Sequence, residues 1–273
     1  MAKFGLIGNP ISHSLSPTLF RAGYDNRYSY DLIEGSDFSV SFQKFLDEYD
    51  GVNVTAPFKM EAFNVADIFS DECKAIGAAN ILVKTAQGVK ACNSDFLGVR
   101  QWLSETAGCR MPNVLIAGCG GAGKAAAMAS LSLGFKTTVM NRDRSKAESL
   151  ADSWRTRCKI TAKEDIQISV ADIDKLADLL NFSDILIYCI PEPINSLARL
   201  KDCDFRKRTQ PLHILEANYR NPSFCGALSD LIGQSDGKVI YTSGKTWLLY
   251  QAMTGYEIFT GEIPDLGKMS ACL

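Results

Sequence analysis

The sequence predicts an α/β protein built from two domains. Three observations carry that prediction. A short apolar run, Val114-Leu115-Ile116-Ala117, leads at once into Gly118-Cys119-Gly120-Gly121-Ala122-Gly123 and then into the helix-forming Lys124-Ala-Ala-Ala-Met-Ala-Ser-Leu. Strand and helix signals alternate on both sides of that loop, as in βα units. More than a hundred residues precede the loop, so a different domain is expected before it, and a chain of 273 residues has room for two.

The elements follow in order. Lys3 to Gly8 reads as a strand. Ser16-Pro17 has the form of an N-cap with proline in the first helical position, opening a helix toward Asp25. Tyr28 to Ile33 reads as a second strand. Phe38 to Tyr49 carries Phe42, Phe45, Leu46 and Tyr49 on one helical face. Gly51 to Thr55 is a short strand, Pro57 to Phe69 a helix, and Ala78 to Lys84 another strand. Asp95 is expected to cap a helix holding Phe96, Leu97, Val99 and Leu103, which leads out of the first domain. Val114 to Ala117, bounded by Pro112 and Gly118, reads as a buried strand. Lys136 to Met140 is the next strand, followed by a helix from Ser145 to Trp154. Asp184 to Ile190 is a strong strand stopped by Pro191; His213 to Glu216 and Lys238 to Tyr241 are later ones. Thr246 to Thr260 reads as a helix that gathers Trp247, Leu248, Tyr250 and Gln251. Residues 155–181 and 192–212 give no assignable pattern, and no internal repeat is visible.

Composition narrows the function classes. The formal charge of −2 argues against a nucleic-acid or acidic-membrane partner. No run approaches the ~18 apolar residues of a membrane span. The opening Met1-Ala-Lys-Phe-Gly-Leu-Ile-Gly is too short and interrupted for a signal peptide. Nine cysteines, odd in number and without a C-x-x-C pair, fit reduced thiols in the cytoplasm. Only His13 and His213 are present, which argues against a histidine metal site or a Ser-His-Asp triad; no metal is expected.

Strand, glycine loop and helix in succession point to a dinucleotide. Gly118 permits the tight turn, Gly120 lets the backbone approach a pyrophosphate, and Gly123 lets the helix pack close to the strand. With Gly121 and Ala122 they open a helix whose free N–H groups face the phosphates. An NAD-selective fold usually ends its second strand on an acid. Here Asn141 stands at that point, followed by Arg142, with Arg144 and Lys146 adding positive charge. A guanidinium binds a 2′-phosphate through two hydrogen bonds, so the reading is NADP. Asp143 would oppose a phosphate if it pointed inward, which leaves NAD open.

Four polar clusters lie at element ends in the first half. Ser14 and Ser16, within Asn9 to Pro17, offer hydroxyls that can hold a carboxylate, or simply cap a helix. Asn53 and Thr55 alternate with valines and so share one side of their strand. Lys59 follows at a proline-led helix start, where the dipole disfavours a cation, so its presence there invites a functional reading. Gly77-Ala78-Ala79-Asn80 and Cys92-Asn93-Ser94-Asp95 complete the set. Together they suit ketone reduction by hydride transfer. Lys59 polarises the carbonyl and gives or relays the proton, and Asp95 orients Lys59 and holds a neighbouring hydroxyl. Asn53, Thr55 and Asn80 supply donors and acceptors for a polyhydroxylated ring.

These residues resemble the shikimate dehydrogenase family. The resemblance is carried by Gly5-Leu6-Ile7-Gly8-Asn9-Pro10 with Ser12 to Pro17, and by Asn53-Val54-Thr55-Ala56-Pro57-Phe58-Lys59. Gly77 to Asn80, Asn93-Ser94-Asp95, Gly118 to Ala122, Asn141-Arg142 and Gln251-Ala252 match further motifs in family order, so the match spans most of the chain. It implies a substrate domain over 1–100 and 244–273, and a Rossmann-like, doubly wound NADP domain over 101–243. It also implies a C-terminal helix returning to the first domain, and interconversion of 3-dehydroshikimate and shikimate in aromatic amino-acid biosynthesis. On matching positions, Lys59 and Asp95 are the catalytic pair and Ser14 and Ser16 hold the substrate carboxylate. Asn53, Thr55, Asn80, Tyr219 and Gln251 line the pocket, and Trp247 lies near the nicotinamide. A homodimer is compatible with this reading.

The chain also departs from the family pattern. Phe20-Arg21 stand where a His-Asn pair is frequent, and Asp143 where Thr is common. Tyr188-Cys189-Ile190 replace a frequent Asn-Ala-Thr, and Trp247 a frequent Met. The substrate clusters therefore match better than the cofactor contacts. Two alternatives stay open: a paralogue acting on quinate or an amino-substituted relative with NAD, and a low-turnover, nucleotide-responsive binding protein on the same fold.

Overall fold

The computed structural model describes residues 2–160, 167–203 and 205–273. The chain opens with β1 (Lys3–Gly8), α1 (Ser16–Gly23), β2 (Ser29–Glu34), α2 (Phe38–Glu48) and β3 (Gly51–Val54). It continues through α3 (Lys59–Asn64), β4 (Ile68–Phe69), α4 (Asp71–Ile76), β5 (Ile81–Thr85), β6 (Gly88–Cys92) and α5 (Ser94–Ala107). Next come β7 (Asn113–Ala117), α6 (Gly121–Ser132), β8 (Lys136–Met140), α7 (Arg144–Ile160), β9 (Ile168–Val170), α8 (Leu176–Leu180) and β10 (Ile185–Tyr188). The last elements are β11 (Leu212–Glu216), α9 (Ala227–Gly233), β12 (Val239–Thr242), α10 (Gly244–Thr260) and α11 (Leu266–Ser270). Contacts divide the chain into one compact unit of Met1–Gly98 with Leu248–Leu273 and a second of Val99–Trp247.

The first unit holds a mixed sheet in the order β2-β1-β3-β5-β6-β4. β1 runs parallel to β2 and β3, while β5 is antiparallel to both β3 and β6. Side-chain alternation sorts each strand between two cores. Ile7, Val52 and Val54 join Phe45, Phe58 and Ala79 on one face. Phe4 and Leu6 join Phe20, Tyr30 and Ile81 on the other. That second core is completed by Tyr256, Phe259 and Met269 from the end of the chain, so the C-terminal helix does return to the first domain. Phe4 and Phe259 stack with centroids 5.1 Å apart.

The second unit is all parallel, in the order β12-β11-β10-β7-β8-β9. This is a doubly wound sheet, and its order reverses between β7 and β10, where such sheets bind ligands at their C-terminal edge. Register aligns Tyr188, Ala117 and Met140 as one row across β10, β7 and β8. Leu115, Leu186, Tyr188 and Ile214 are buried together behind that edge.

Three expectations about local structure are corrected. Ser16 does not cap α1: it is the first helical residue, and its own N–H is taken by the Ser14 hydroxyl at 3.2 Å. The helix expected from Pro57 to Phe69 stops at Asn64, because Asp67 turns into the sheet. The Asp67 N–H donates to the Val89 carbonyl at 2.9 Å, and its carboxylate accepts from the Val89 N–H at 2.8 Å. Asp95 does not cap α5 either. Asn93 does, its Oδ1 accepting from the Phe96 N–H at 3.1 Å, and the Asp95 carboxylate faces Lys59 instead. The unassigned stretches hold the end of α7, β9, α8 and, among the described residues, three 3-10 segments, Ile173–Lys175, Asn195–Asp202 and Phe205–Lys207, while 161–166 and 204 lie outside the described residues.

Candidate active site

In the first unit, two of the polar clusters fix one another. The Asn80 carboxamide accepts from the Ser94 N–H at 2.7 Å and donates to the Ser94 hydroxyl at 3.1 Å. The Asn93 carboxamide donates to the Ala78 carbonyl at 2.9 Å. The Ala79 N–H in turn donates to the Lys59 carbonyl at 2.9 Å, tying the start of α3 to the same place. Phe58, buried in the core, holds that start from beneath. The outcome is a short ion pair: Lys59 Nζ lies 2.5 Å from Asp95 Oδ2. The side chains are 27% and 11% exposed, enough for a small molecule to reach the ammonium.

Asn53 lies beside this pair in the network. Its Oδ1 accepts from the Tyr30 hydroxyl at 2.7 Å, and its Nδ2 donates to the Asn80 carbonyl at 3.4 Å. Burial pushes the Tyr30 phenol well above its ordinary pKa, so it is a donor at neutral pH, and a hydrogen bond to Ser16 opposes the shift. Tyr256 donates to the Ser16 carbonyl at 3.0 Å, and the Ser14 and Ser16 hydroxyls are 3.2 Å apart. Neither tyrosine was singled out by sequence, although both are polar tips in otherwise aromatic surroundings. Thr55 is half-buried, its methyl packed where a side chain at Gly8 would have to go. Gln251 on α10 is half-buried at the start of α5; a Cβ at Gly98 would stand 2.6 Å from its backbone nitrogen. Ser14, Ser16, Asn53, Thr55, Asn80, Lys59, Asp95 and Gln251 thus all belong to this unit. Tyr219 and Trp247 belong to the other.

In the second unit, Gly118 to Gly123 form the turn from β7 into α6. Gly118 has φ +105° and a Cβ there would lie 3.0 Å from the Cys189 carbonyl carbon. A Cβ at 123 would lie 2.7 Å from the Gly118 carbonyl carbon, and closer still to its oxygen. Around Gly120 and Gly121, by contrast, nothing stands within 4 Å of a Cβ. The loop is packed tightly beneath and open above, at the N-terminus of a 12-residue helix, and that fits a dinucleotide pyrophosphate.

The turn after β8 is stitched to this loop. Asn141 Oδ1 accepts from the Cys119 N–H at 3.2 Å, and its Nδ2 donates to the Asp143 carbonyl at 3.0 Å. Asp143 caps α7, accepting from the Ser145 N–H at 3.1 Å and the Ser145 hydroxyl at 2.6 Å; the hydroxyl bond holds its pKa below the ordinary carboxylate value. Arg144 is paired with Glu148 and Asp172. Lys146 is exposed in the first turn of α7. The exposed Arg142 guanidinium lies 3.6 Å from Glu192 Oε2. Trp247 is buried, and Tyr219, half-buried after β11, has Arg220 over its ring at 5.8 Å. Sequence reasoning missed Glu216. It is fully buried at the end of β11 and accepts from the Ser223 N–H at 2.5 Å and the Tyr241 hydroxyl at 2.8 Å. An acid closing an apolar strand was the available signal. Among the described residues no group of three or more His, Cys, Asp or Glu converges to hold a metal ion.

The model of the shikimate dehydrogenase substrate binding domain matches residues 6–82, and that of the alanine dehydrogenase/PNT C-terminal domain matches residues 84–200. A shikimate dehydrogenase (NADP(+)) of Haloarcula marismortui is 30% identical, the match covering 100% of this chain and 98% of that one. The chain belongs to the shikimate dehydrogenase family. Within that family, the crystal structure of a shikimate 5-dehydrogenase from Mycobacterium fortuitum has a TM-score of 0.79 at 30% identity, covering 100% of this chain and 97% of that one. Quinate dehydrogenase from Corynebacterium glutamicum, in complex with NAD, reaches a TM-score of 0.82 at 22% identity, covering 99% and 98% of the two chains. At that identity the likeness speaks for the shikimate dehydrogenase fold alone.

Proposed function

We propose that this chain is an NADP-dependent oxidoreductase that interconverts 3-dehydroshikimate and shikimate. The observation that carries the reading is the Lys59–Asp95 pair, 2.5 Å long, held by two interlocked polar clusters in the unit that contains the substrate-domain match. NADPH, when bound, supplies a hydride to the ketone carbon, and NADP accepts one in the reverse direction. Lys59 gives the proton to the ketone oxygen on reduction and takes it back on oxidation. Asp95 orients the ammonium and accepts from a neighbouring ring hydroxyl. Ser14 and Ser16 hold the substrate carboxylate, and Thr55 and Gln251 contact the ring. Asn53 and Asn80, each with both ends of its carboxamide engaged, act by orienting their neighbours.

The first unit binds substrate in this reading and the second binds NADP, with Gly118, Gly120, Gly121, Ala122 and Gly123 cradling the pyrophosphate. Asn141, Arg142 and Lys146 receive the adenosine end, and Arg142 reads the 2′-phosphate. Trp247 lines the nicotinamide end. The nine cysteines of the sequence, odd in number and without a C-x-x-C pair, support a cytoplasmic location. The deciding experiment follows cofactor absorbance with shikimate or quinate and with NADP or NAD. Shikimate with NADP should give the highest kcat/KM. A preference for quinate with NAD, or no turnover with any pair, would overturn the reading.

A further inference from the structure

We propose that Glu192 sets how strongly this chain prefers NADP over NAD, by competing with the 2′-phosphate for the Arg142 guanidinium. The inference rests on the reading of Arg142 as the phosphate-binding residue. β8 and β10 flank β7 on opposite sides, and the sheet order reverses between β7 and β10. Arg142 follows β8 and Glu192 follows β10. Adjacent strands lie ~4.8 Å apart, so the two loops begin roughly 10 Å from one another. A 3.6 Å approach between Arg142 Nη1 and Glu192 Oε2 therefore carries the pair across the C-terminal end of β7, where the glycine loop begins. This is the crevice in which a doubly wound sheet takes its ligand.

The other charges around Arg142 are engaged elsewhere. Asp143 is turned to Ser145 as a helix cap, and Arg144 to Glu148 and Asp172. Lys146 adds a second cation on the same turn. The acid that answers Arg142 comes instead from the loop after β10, and that loop is anchored. Tyr188, fully buried, donates its hydroxyl to the Glu192 carbonyl at 2.7 Å. Burial pushes the Tyr188 phenol up to about 12, which keeps it a donor at neutral pH. Asn218 donates to the preceding carbonyl, that of Pro191, at 3.0 Å. The peptide that carries Glu192 is thus held from two sides, and its carboxylate stays within reach of Arg142. A 2′-phosphate must displace this carboxylate to bind; the 2′-hydroxyl of NAD need not.

Both partners are more than half exposed, so the effect is modest, about two- to fivefold in affinity. Isothermal titration with NADP⁺ and with NAD⁺ tests it on the full chain, Glu192→Gln, Arg142→Ala and the double variant. Glu192→Gln should tighten NADP⁺ by that factor and leave NAD⁺ unchanged, and the gain should vanish in the Arg142→Ala background. An unchanged NADP⁺ affinity, an equal gain for both cofactors, or a gain that survives loss of Arg142 would overturn the proposal. Should Arg142→Ala weaken NADP⁺ alone while Glu192→Gln has no effect, only the role of Glu192 falls. Should Arg142→Ala weaken both cofactors equally, the reading of Arg142 falls with it.

Discussion

Two glycines of one loop should respond to the same substitution in opposite ways. At Gly123 an added methyl meets the backbone of Gly118, 2.7 Å from its carbonyl carbon. Real Cβ atoms essentially never come under 3.0 Å of another heavy atom, so something must move. Gly118 cannot move freely. Its N–H donates to the Met140 carbonyl at 2.8 Å, and its own Cα faces the Cys189 carbonyl. Overpacking typically costs ~1–3 kcal/mol, and a contact with fixed backbone belongs at the upper end. Gly123→Ala should therefore lower the melting temperature by roughly 6–12 °C in a chain of this size. At Gly120 nothing lies within 4 Å of the new methyl and φ is −74°, so Ala can adopt the backbone. Its only structural cost is a poorer N-cap, about 0.5–1 kcal/mol and a few degrees at most. NADP affinity should nevertheless fall at least tenfold, because the methyl occupies the space through which the pyrophosphate approaches. Thermal scans and titration calorimetry on both variants measure the two effects separately. A Gly123→Ala chain melting within 1 °C of the parent would refute the packing argument. Unchanged NADP affinity in Gly120→Ala would refute the cradle.

The remaining predictions concern chemistry and charge. Lys59→Ala should lower kcat by ~10²–10⁴-fold while changing substrate affinity only modestly, as a general acid–base group does; steady-state rates and direct binding separate the two. Asp95→Asn should lose kcat and substrate affinity together; full activity would reduce Asp95 to a structural residue. Arg142→Ala should raise the KM for NADP about tenfold or more and leave that for NAD nearly unchanged, since a charge-assisted hydrogen bond contributes roughly 1.5–3 kcal/mol. Asp143→Thr should not alter cofactor preference, because that carboxylate is turned to Ser145, and initial rates with both cofactors check this. Burial, with Arg110 adding to it, holds the half-buried His213 below its ordinary pKa of 6.5. The unfolded chain then takes up a proton first as pH falls, so this stability is present above pH 6.5 and is lost as pH drops through the lowered folded value. Urea midpoints measured from pH 7.5 downward should decline in this window, and less so in His213→Gln.

The legible parts of the fold were those whose pattern is local. Phe42, Phe45 and Leu46 announce α2 by spacing alone, and Val114 to Ala117 announce β7 by an apolar run between turn residues. β6 was missed because Gly88-Val-Lys-Ala-Cys92 has no such pattern; it is a strand because β5 pairs with it across a short turn at Gly88. The residues of β4 read as the end of a helix because nothing near Asp67 reveals that it will bond to Val89, twenty-two residues on. The site divides in the same way. Lys59 and Asp95 are 36 residues apart, and no periodicity joins them; motif order did. Asn93 and Asp95 are equally plausible caps by type, and only Asn80 clasping Ser94 decides between them. Glu192 follows a proline in a stretch without pattern, so its meeting with Arg142 depends wholly on sheet order.

The closure of the first core by Tyr256, Phe259 and Met269 fixes an order of events during synthesis. The sheet that carries Phe4 and Tyr30 is made before the second unit, yet the face it shares with α1 is only partly covered until α10 and α11 emerge. Roughly 150 residues separate the two parts, a delay of about 7–30 s at ordinary elongation rates. The unit from Val99 to Trp247 is continuous and can reach its native state within that interval. The first unit is therefore begun before the second and completed after it. Its aromatic face, Phe4 against Phe20 and Tyr28, is the surface that a nascent-chain chaperone would have to shield meanwhile.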